Sequence, residues 1–213
     1  MLTRSPLLTE TDVLDAILDV VKNNTLDLVM DCQGVRSVNV LLEHFLGNKQ
    51  DKVNPILNTL VEDEVKLDGL IRHEFANHTI QVLIDHKPEN ISRVVWKNFP
   101  EYALHEYANY VVQKCIASPA CGNWSLRFAQ TFIEHREMLE RNWNSSVAIS
   151  RSLGNALWKQ GERQMARRLE YCCSEAQNQR QLQKCSYNAH GRWSTSQWIG
   201  QNAWHPHWAA SQW

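Results

Sequence analysis

Two twelve-residue stretches of this chain are near copies of each other, and their recurrence constrains the fold more than any other feature. Residues 73–84 read HEFANHTIQVLI, and residues 105–116 read HEYANYVVQKCI. In both stretches the apolar residues recur at the three- and four-residue spacing of an amphipathic helix. Self-similarity of this kind predicts helical units stacked in an array.

Two looser copies extend the pattern towards both ends of the chain. Residues 32–43 (CQGVRSVNVLLE) keep part of the apolar stripe, and residues 142–153 (NWNSSVAISRSL) keep less of it. Successive copies lie 42, 32 and 36 residues apart when they are aligned at Val35, Asn77, Asn109 and Ser145. Such spacings fit repeated units of two or three short helices.

The segments around the copies also have helical patterns. We predict helices over residues 9–30, 88–101, 123–142 and 154–172, with Pro88 at the start and Pro100 at the end of the second. Sustained strand alternation is absent from the sequence. The predicted fold class is therefore all-α, a curved α-solenoid of about four helical repeats over residues 9–172. Residues 173–213, rich in Trp, Gln and Ser, are predicted to be poorly ordered.

Composition and charge bear on location and partner. The chain has no run of about 18 apolar residues, so we expect no membrane span. Its first residues are too polar for a secretory signal, so we expect a cytoplasmic location, with a nuclear one as the alternative. Residues 1–110 carry a net charge of −7 and residues 111–213 carry +6. The basic half favours an anionic partner, although such differences between halves are common.

Two amides and a ring recur on the helix side away from the apolar stripe. The two sets are Asn77, His78 and Gln81, and Asn109, Tyr110 and Gln113. Residues four apart on a helix lie about 5–6 Å apart on one face. Two primary amides offer donors and acceptors together, as the edge of a nucleobase does. A ring beside them suits stacking on the base face, worth roughly 1–3 kcal/mol per base. The pattern therefore predicts a base-binding face.

Both stretches resemble the second helix of a repeat of the Pumilio (PUF) family of RNA-binding proteins. The resemblance is closest over residues 70–117 and extends to residues 28–45 and 135–170. Members of that family read one base per helical repeat with two or three side chains. The resemblance implies that Asn77 and Gln81 contact the edge of one uracil while His78 stacks on it.

By the same resemblance, the set at Asn109, Tyr110 and Gln113 would read the uracil on the 5′ side. The implied function is sequence-selective binding of single-stranded RNA, such as U-containing 3′ untranslated regions of mRNA. Its implied role is post-transcriptional regulation of translation or stability. The resemblance also implies protein co-regulators on the outer face. Because the sequence lacks catalytic motifs and usual metal-ligand spacings, we expect no enzymatic activity, no cofactor and no metal.

The looser copies depart from the family pattern. The first presents Val35, Arg36 and Asn39, of which Arg36 and Asn39 are tentative RNA contacts. In the fourth copy the tentative contacts are Ser145 and Ser146, followed by Ile149 where a polar group is expected. The family domain generally has eight repeats, against four here. Micromolar affinity needs about −8 kcal/mol, so we expect weak binding to a short site unless the protein multimerises.

Three alternatives remain open at this stage. An interaction-only α-solenoid of the HEAT or armadillo kind would explain the repeats, though not the recurring amides and ring. A zinc site at Cys172, Cys173, Cys185 and His190 lacks the usual ligand spacing. An enzyme lacks a recognisable catalytic motif, and the recurrence of His73 and His105 at one repeat position indicates a capping or packing role.

Overall fold

The computed structural model describes residues 10–47, 49–139 and 143–189, and every regular element in these ranges is a helix. The all-α prediction is confirmed. By its internal contacts the chain divides into one unit over residues 1–174 and another over residues 175–213. Within the described ranges, no helix combines the length and the apolar character needed to cross a membrane.

The α-helices up to residue 160 form four successive groups of three, the fourth preceded by a 3₁₀ helix. The first group contains α1 (Glu10–Asn23), α2 (Thr25–Met30) and α3 (Gly34–Leu46). The second contains α4 (Gln50–Val61), α5 (Glu64–Arg72) and α6 (Ala76–Leu83). The third contains α7 (Pro88–Lys97), α8 (Phe99–Leu104) and α9 (Ala108–Ala117). The fourth follows a 3₁₀ helix (Pro119–Trp124) and contains α10 (Ser125–Glu134), α11 (Arg136–Leu139) and α12 (Trp143–Gln160), after which comes α13 (Arg163–Ala189).

Contacts between neighbouring groups follow one scheme. The third helices pack side by side, α3 on α6, α6 on α9, and α9 on α12. Each middle helix contacts the first and third helices of the next group: α2 contacts α4 and α6, α5 contacts α7 and α9, and α8 contacts α10 and α12. The apolar stripe seen in the sequence, including Ile80, Leu83, Val112 and Cys115, is buried in a core shared by the four groups.

The turn into the third helix is built alike in three groups. His73 and His105 each accept, at Nδ1, backbone N–H groups two and three residues later, at 3.1–3.3 Å. Asp31, at the equivalent position of the first group, does the same with Oδ1 at 2.9 and 2.7 Å. These bonds satisfy donors that a helix N-terminus leaves unpaired. The predicted capping role of the two histidines is confirmed.

One predicted helix is divided in two by a glycine. The sequence pattern predicts a single helix over residues 154–172, but α12 ends at Gln160 and α13 begins at Arg163. Gly161 between them has φ +82°, in the left-handed region that favours glycine. The N–H groups of Gly161 and Glu162 donate to the carbonyls of Trp158 and Leu157, which closes the end of α12.

Other boundaries also differ from the sequence pattern. The helix predicted over residues 9–30 is interrupted at Asn24, whose side chain donates to the carbonyl of Val20. Helix α7 begins at Pro88 as predicted, but Pro100 lies in the first turn of α8, where its missing N–H is not needed. Residues 173–189, expected to be poorly ordered, belong to α13. Residues 190–213 lie outside the described part of the chain.

Candidate nucleic-acid interface

Asn77 and Asn109 stand at the start of α6 and α9, where the chain enters each helix from the capped turn. Both side chains are buried, with exposed fractions of 1% and 8%. Asn77 Nδ2 donates to the carbonyls of His73 and Glu74, both at 2.8 Å. Asn109 Nδ2 makes the equivalent two bonds at 2.8 and 2.9 Å. The two asparagines therefore hold the turn together.

This bonding fixes the direction of the neighbouring glutamines. Two carbonyls face Nδ2 of each asparagine, so its Oδ1 must point the other way. Gln81 Nε2 donates to Asn77 Oδ1 at 2.9 Å, and Gln113 Nε2 donates to Asn109 Oδ1 at 3.0 Å. Each half-buried glutamine keeps Oε1 and one N–H that make no hydrogen bond within the described part of the chain.

An exposed ring lies beside each glutamine. Tyr110 is 52% exposed, which is high for an aromatic side chain in a helix with an apolar stripe. His78, at the equivalent position of α6, is exposed as well, and partial desolvation lowers its pKa below the ordinary histidine value. Both rings are therefore accessible from solvent.

The arrangement corrects one expectation from the helical pattern. The wheel places asparagine and glutamine together on an outer face, whereas Asn77 and Asn109 are buried and only the glutamines and rings reach the surface. The physical reason is that a side chain in the first helical turn can fold back onto the preceding backbone, which the wheel does not represent.

A cleft of about 690 Å³ brings three of the predicted residues together. Asn39 of α3 and His78 and Gln81 of α6 line it, and Thr79 donates to Asn39 Oδ1 at 2.7 Å. Its other lining residues are Glu43, Leu46, Gly47, Val82, Asp85, His86 and Lys114. The second set is not part of this lining and lies on α9, which packs directly against α6.

Sequence reasoning missed the charged side chains of this cleft. Lys114 Nζ lies 3.3 Å from Asp85 Oδ2. The hydroxyl of Ser118 donates to Asp85, and this bond, with Lys114, holds the pKa of Asp85 below its usual value. The cleft is lined by residues from α3, α6 and α9 and the turns that follow α3 and α6. Because these elements are separate segments of the chain, the charged residues that line the cleft form no recognisable pattern within any one of them.

The looser copies carry weaker versions of the site. Val35 is buried and Arg36 is exposed at the start of α3. In the fourth group Ile149 is fully buried, and buried Ser146 donates to the carbonyl of Leu139. The side chain of Ser145 lies outside the described residues. Of the four tentative contacts, the structure thus places Asn39 in the cleft and turns Ser146 inward.

No cluster of three or more histidine, cysteine, aspartate or glutamate side chains suited to a metal ion occurs in the described part of the chain. The Cys185 side chain and His190, which belong to the zinc alternative, fall outside that part.

In comparisons with known proteins, no family model, no curated protein and no solved structure matches this chain.

Proposed function

We propose that this chain binds single-stranded RNA, with a preference for uracil, through a curved α-solenoid of about four Pumilio-like repeats. The biological role we infer is post-transcriptional regulation of mRNA. One observation carries the proposal: α6 and α9 repeat the same hydrogen bonds, and both leave a glutamine amide beside an exposed ring. Two such units on adjacent helices suit two adjacent bases.

Capping explains part of the sequence recurrence and leaves part of it unexplained. His73, His105, Asn77 and Asn109 all bond to the backbone of their own turns, so a structural role accounts for them. Each glutamine supplies the donor for a buried asparagine oxygen, but its Oε1, its second N–H and the exposed ring take no part in the capped turn. The repeated glutamine and ring therefore argue for a ligand with an edge and a face.

The chemistry of the glutamines matches a base edge. Oε1 can accept from the N3–H of uracil while the remaining N–H of Nε2 donates to an adjacent carbonyl oxygen. A primary amide can pair in this way with other bases too, so the preference for uracil rests on the family resemblance. Tyr110 or His78 would stack on the base, a contact that tolerates any sequence.

The expected affinity is low and depends weakly on salt. Val35 and Ile149 replace polar groups in the outer copies, which leaves two complete units. Lys114 is ion-paired with Asp85 beside the first unit, so it is a poor phosphate contact. Few neutralised phosphates give a shallow dependence of affinity on salt concentration.

Titration of fluorescent single strands tests the proposal. We expect the wild type to bind an oligouridine strand more tightly than a U-free strand of equal length. Gln81→Ala/Gln113→Ala should weaken oligouridine binding about tenfold or more, since each pairing is worth about 1 kcal/mol, and it leaves in place the histidine and asparagine bonds to the backbone of the turns. Tyr110→Ala should weaken both strands, because stacking is not base-specific.

Gln50→Ala/Gln164→Ala, which removes two exposed glutamines elsewhere, is the matched control and should bind as the wild type does. Equal affinity of the wild type for both strands, or no effect of Gln81→Ala/Gln113→Ala, would contradict base reading. That result would favour an interaction-only scaffold of the HEAT or armadillo kind.

A further inference from the structure

An arginine lies over two tryptophan rings on helices other than those of the candidate RNA interface. Arg127 of α10, Trp96 of α7 and Trp124 of the 3₁₀ helix form this aromatic–arginine cluster. The guanidinium carbon of Arg127 is 4.8 Å from the ring centroid of Trp124 and 5.7 Å from that of Trp96. The two ring centroids are 6.1 Å apart.

Hydrogen bonds at both indole nitrogens fix the rings. Trp96 Nε1 donates to Thr131 Oγ1 at 3.2 Å, and Trp124 Nε1 donates to Glu89 Oε2 at 3.3 Å. Trp124 is buried, whereas Trp96 is 38% exposed and Arg127 is exposed. The cluster thus consists of two hydrogen-bonded indole rings with the exposed guanidinium of Arg127 lying over them.

The hydrogen-bonding capacity of Arg127 is unused within the described part of the chain. Its guanidinium has five N–H donors, but the contacts found for it there are the two rings. Other cations on the same helices are paired: Arg93 and Lys97 of α7 both contact Glu64. Arg127 is therefore positioned by stacking and left available to an external acceptor.

The surroundings favour a carboxylate next to an apolar side chain over a nucleic-acid backbone. Leu126, the preceding residue of α10, is exposed as well. Glu89 of α7 and Glu134 of α10 carry negative charge on the same helices, which disfavours a row of phosphates more strongly than a single carboxylate. A peptide can place one carboxylate on the planar guanidinium, which accepts it through two parallel bonds, and an aliphatic side chain on Trp96.

We propose that the aromatic–arginine cluster of Trp96, Trp124 and Arg127 is a docking site for a partner protein's peptide segment that carries a carboxylate next to an aliphatic side chain. Tryptophan and arginine are the residues on which binding energy concentrates at protein interfaces. This site does not depend on the proposed RNA binding, because it uses different helices and a different ligand.

Fluorescence polarisation with two synthetic, end-blocked peptides tests the site. One peptide alternates glutamate and leucine with glycine spacers, and the other has glutamine in place of every glutamate. We expect the wild type to bind the glutamate peptide about tenfold more tightly, a difference of about 1.4 kcal/mol. Arg127→Gln should abolish that preference, and Arg127→Lys should lose much of it, because an ammonium lacks the planar fork.

Arg167→Gln, at an exposed arginine of α13, is the matched control and should keep the preference. Equal binding of both peptides by the wild type would overturn the proposal, as would an equal loss in Arg167→Gln and Arg127→Gln. A third contrary result concerns RNA. If Arg127→Gln weakens binding of a U-free RNA strand as much as it weakens binding of the glutamate peptide, the cluster is a nucleic-acid contact. If Arg127→Gln loses peptide binding but keeps RNA binding, the docking proposal is supported. Failure of the peptide test would not change the outcome of the RNA titration, so the two proposals can fail separately.

Discussion

His78 and Tyr110 occupy the same position in two neighbouring repeats, but the side chain is an imidazole in one and a phenol in the other. Partial desolvation at the cleft lowers the pKa of His78, because an imidazolium loses hydration there. The other titratable groups lining the cleft are Glu43, Asp85, His86 and Lys114. The folded chain therefore favours the neutral imidazole over the imidazolium at this position.

The lowered pKa of His78 predicts a pH-dependent loss of stability. Above about pH 6.5, the ordinary histidine value, the ring is neutral in the folded and unfolded chain alike. As pH falls below that value, the unfolded chain takes up a proton before the folded one does, so the free energy of unfolding decreases. Urea unfolding at about pH 7.5 and about pH 5.5 measures the fall.

His78→Tyr copies the residue of the next repeat and leaves every other group of the cleft in place. The variant should lose less stability than the wild type between the two pH values. An equal or larger loss in His78→Tyr would assign the pH dependence to other groups.

Also at the scale of residues, side chains with equivalent places in the helical pattern differ in burial. The helical pattern puts Asn109 and Gln113 on one polar face. The two N–H groups of Asn109 Nδ2, however, donate to the carbonyls of His105 and Glu106. No periodicity predicts this bonding, since it depends on the extended backbone at His105, in the turn before α9. The identity of the candidate residues came from the sequence, and their division into structural and ligand-facing ones did not.

At the scale of elements, the turn before the third helix of a group is capped by either of two kinds of side chain. Histidine nitrogen caps α6 and α9, and aspartate oxygen caps α3. In the first group α2 also approaches the turn closely, since a Cβ on Gly34 would lie 2.4 Å from the Leu28 carbonyl oxygen. The equivalent positions hold Ala76 and Ala108, so the looser sequence match of the first copy reflects a tighter version of the same turn.

Exchange of the capping residue tests this equivalence. His105→Asp should keep the stability of the wild type within about 0.5 kcal/mol, while His105→Ala should lose about 0.5–2 kcal/mol, the usual effect of removing a helix cap. Thermal and urea unfolding of the two variants measure the difference. Equal losses in both would mean that the imidazole contributes by packing against Tyr107, whose ring centroid lies 6.1 Å away.

At the scale of the first unit, each group of helices is stabilised by its neighbours. The second and third groups are joined by a polar network in which Tyr102 donates to Asp68 at 2.5 Å and Arg72 contacts both Asp68 and Glu101. Arg72 also lies over the ring of Tyr102, 4.8 Å from its centroid. Local stability should therefore depend on how many groups flank an element.

Hydrogen exchange should reveal this dependence. Helix α9 packs between α6 and α12, whereas α1 packs on α2 and α4 and leaves Val13, Ile17 and Val20 exposed. We expect amides of α1 to exchange faster than those of α9, because less apolar surface must open to free them. Mass spectrometry of peptic fragments measures both, and equal rates would indicate that exchange requires unfolding of the whole unit.

The sequence by itself determined that the chain is helical, where the repeated stripes lie and which side chains recur between them, because helix periodicity and capping are local. Only the tertiary structure decided the rest. It buried Asn77 and Asn109 and placed Arg127 over Trp96 and Trp124. The burial of the asparagines depends on the backbone turn before each helix, and the contact of Arg127 with Trp96 depends on the approach of segments distant in sequence. Neither leaves a periodic signal.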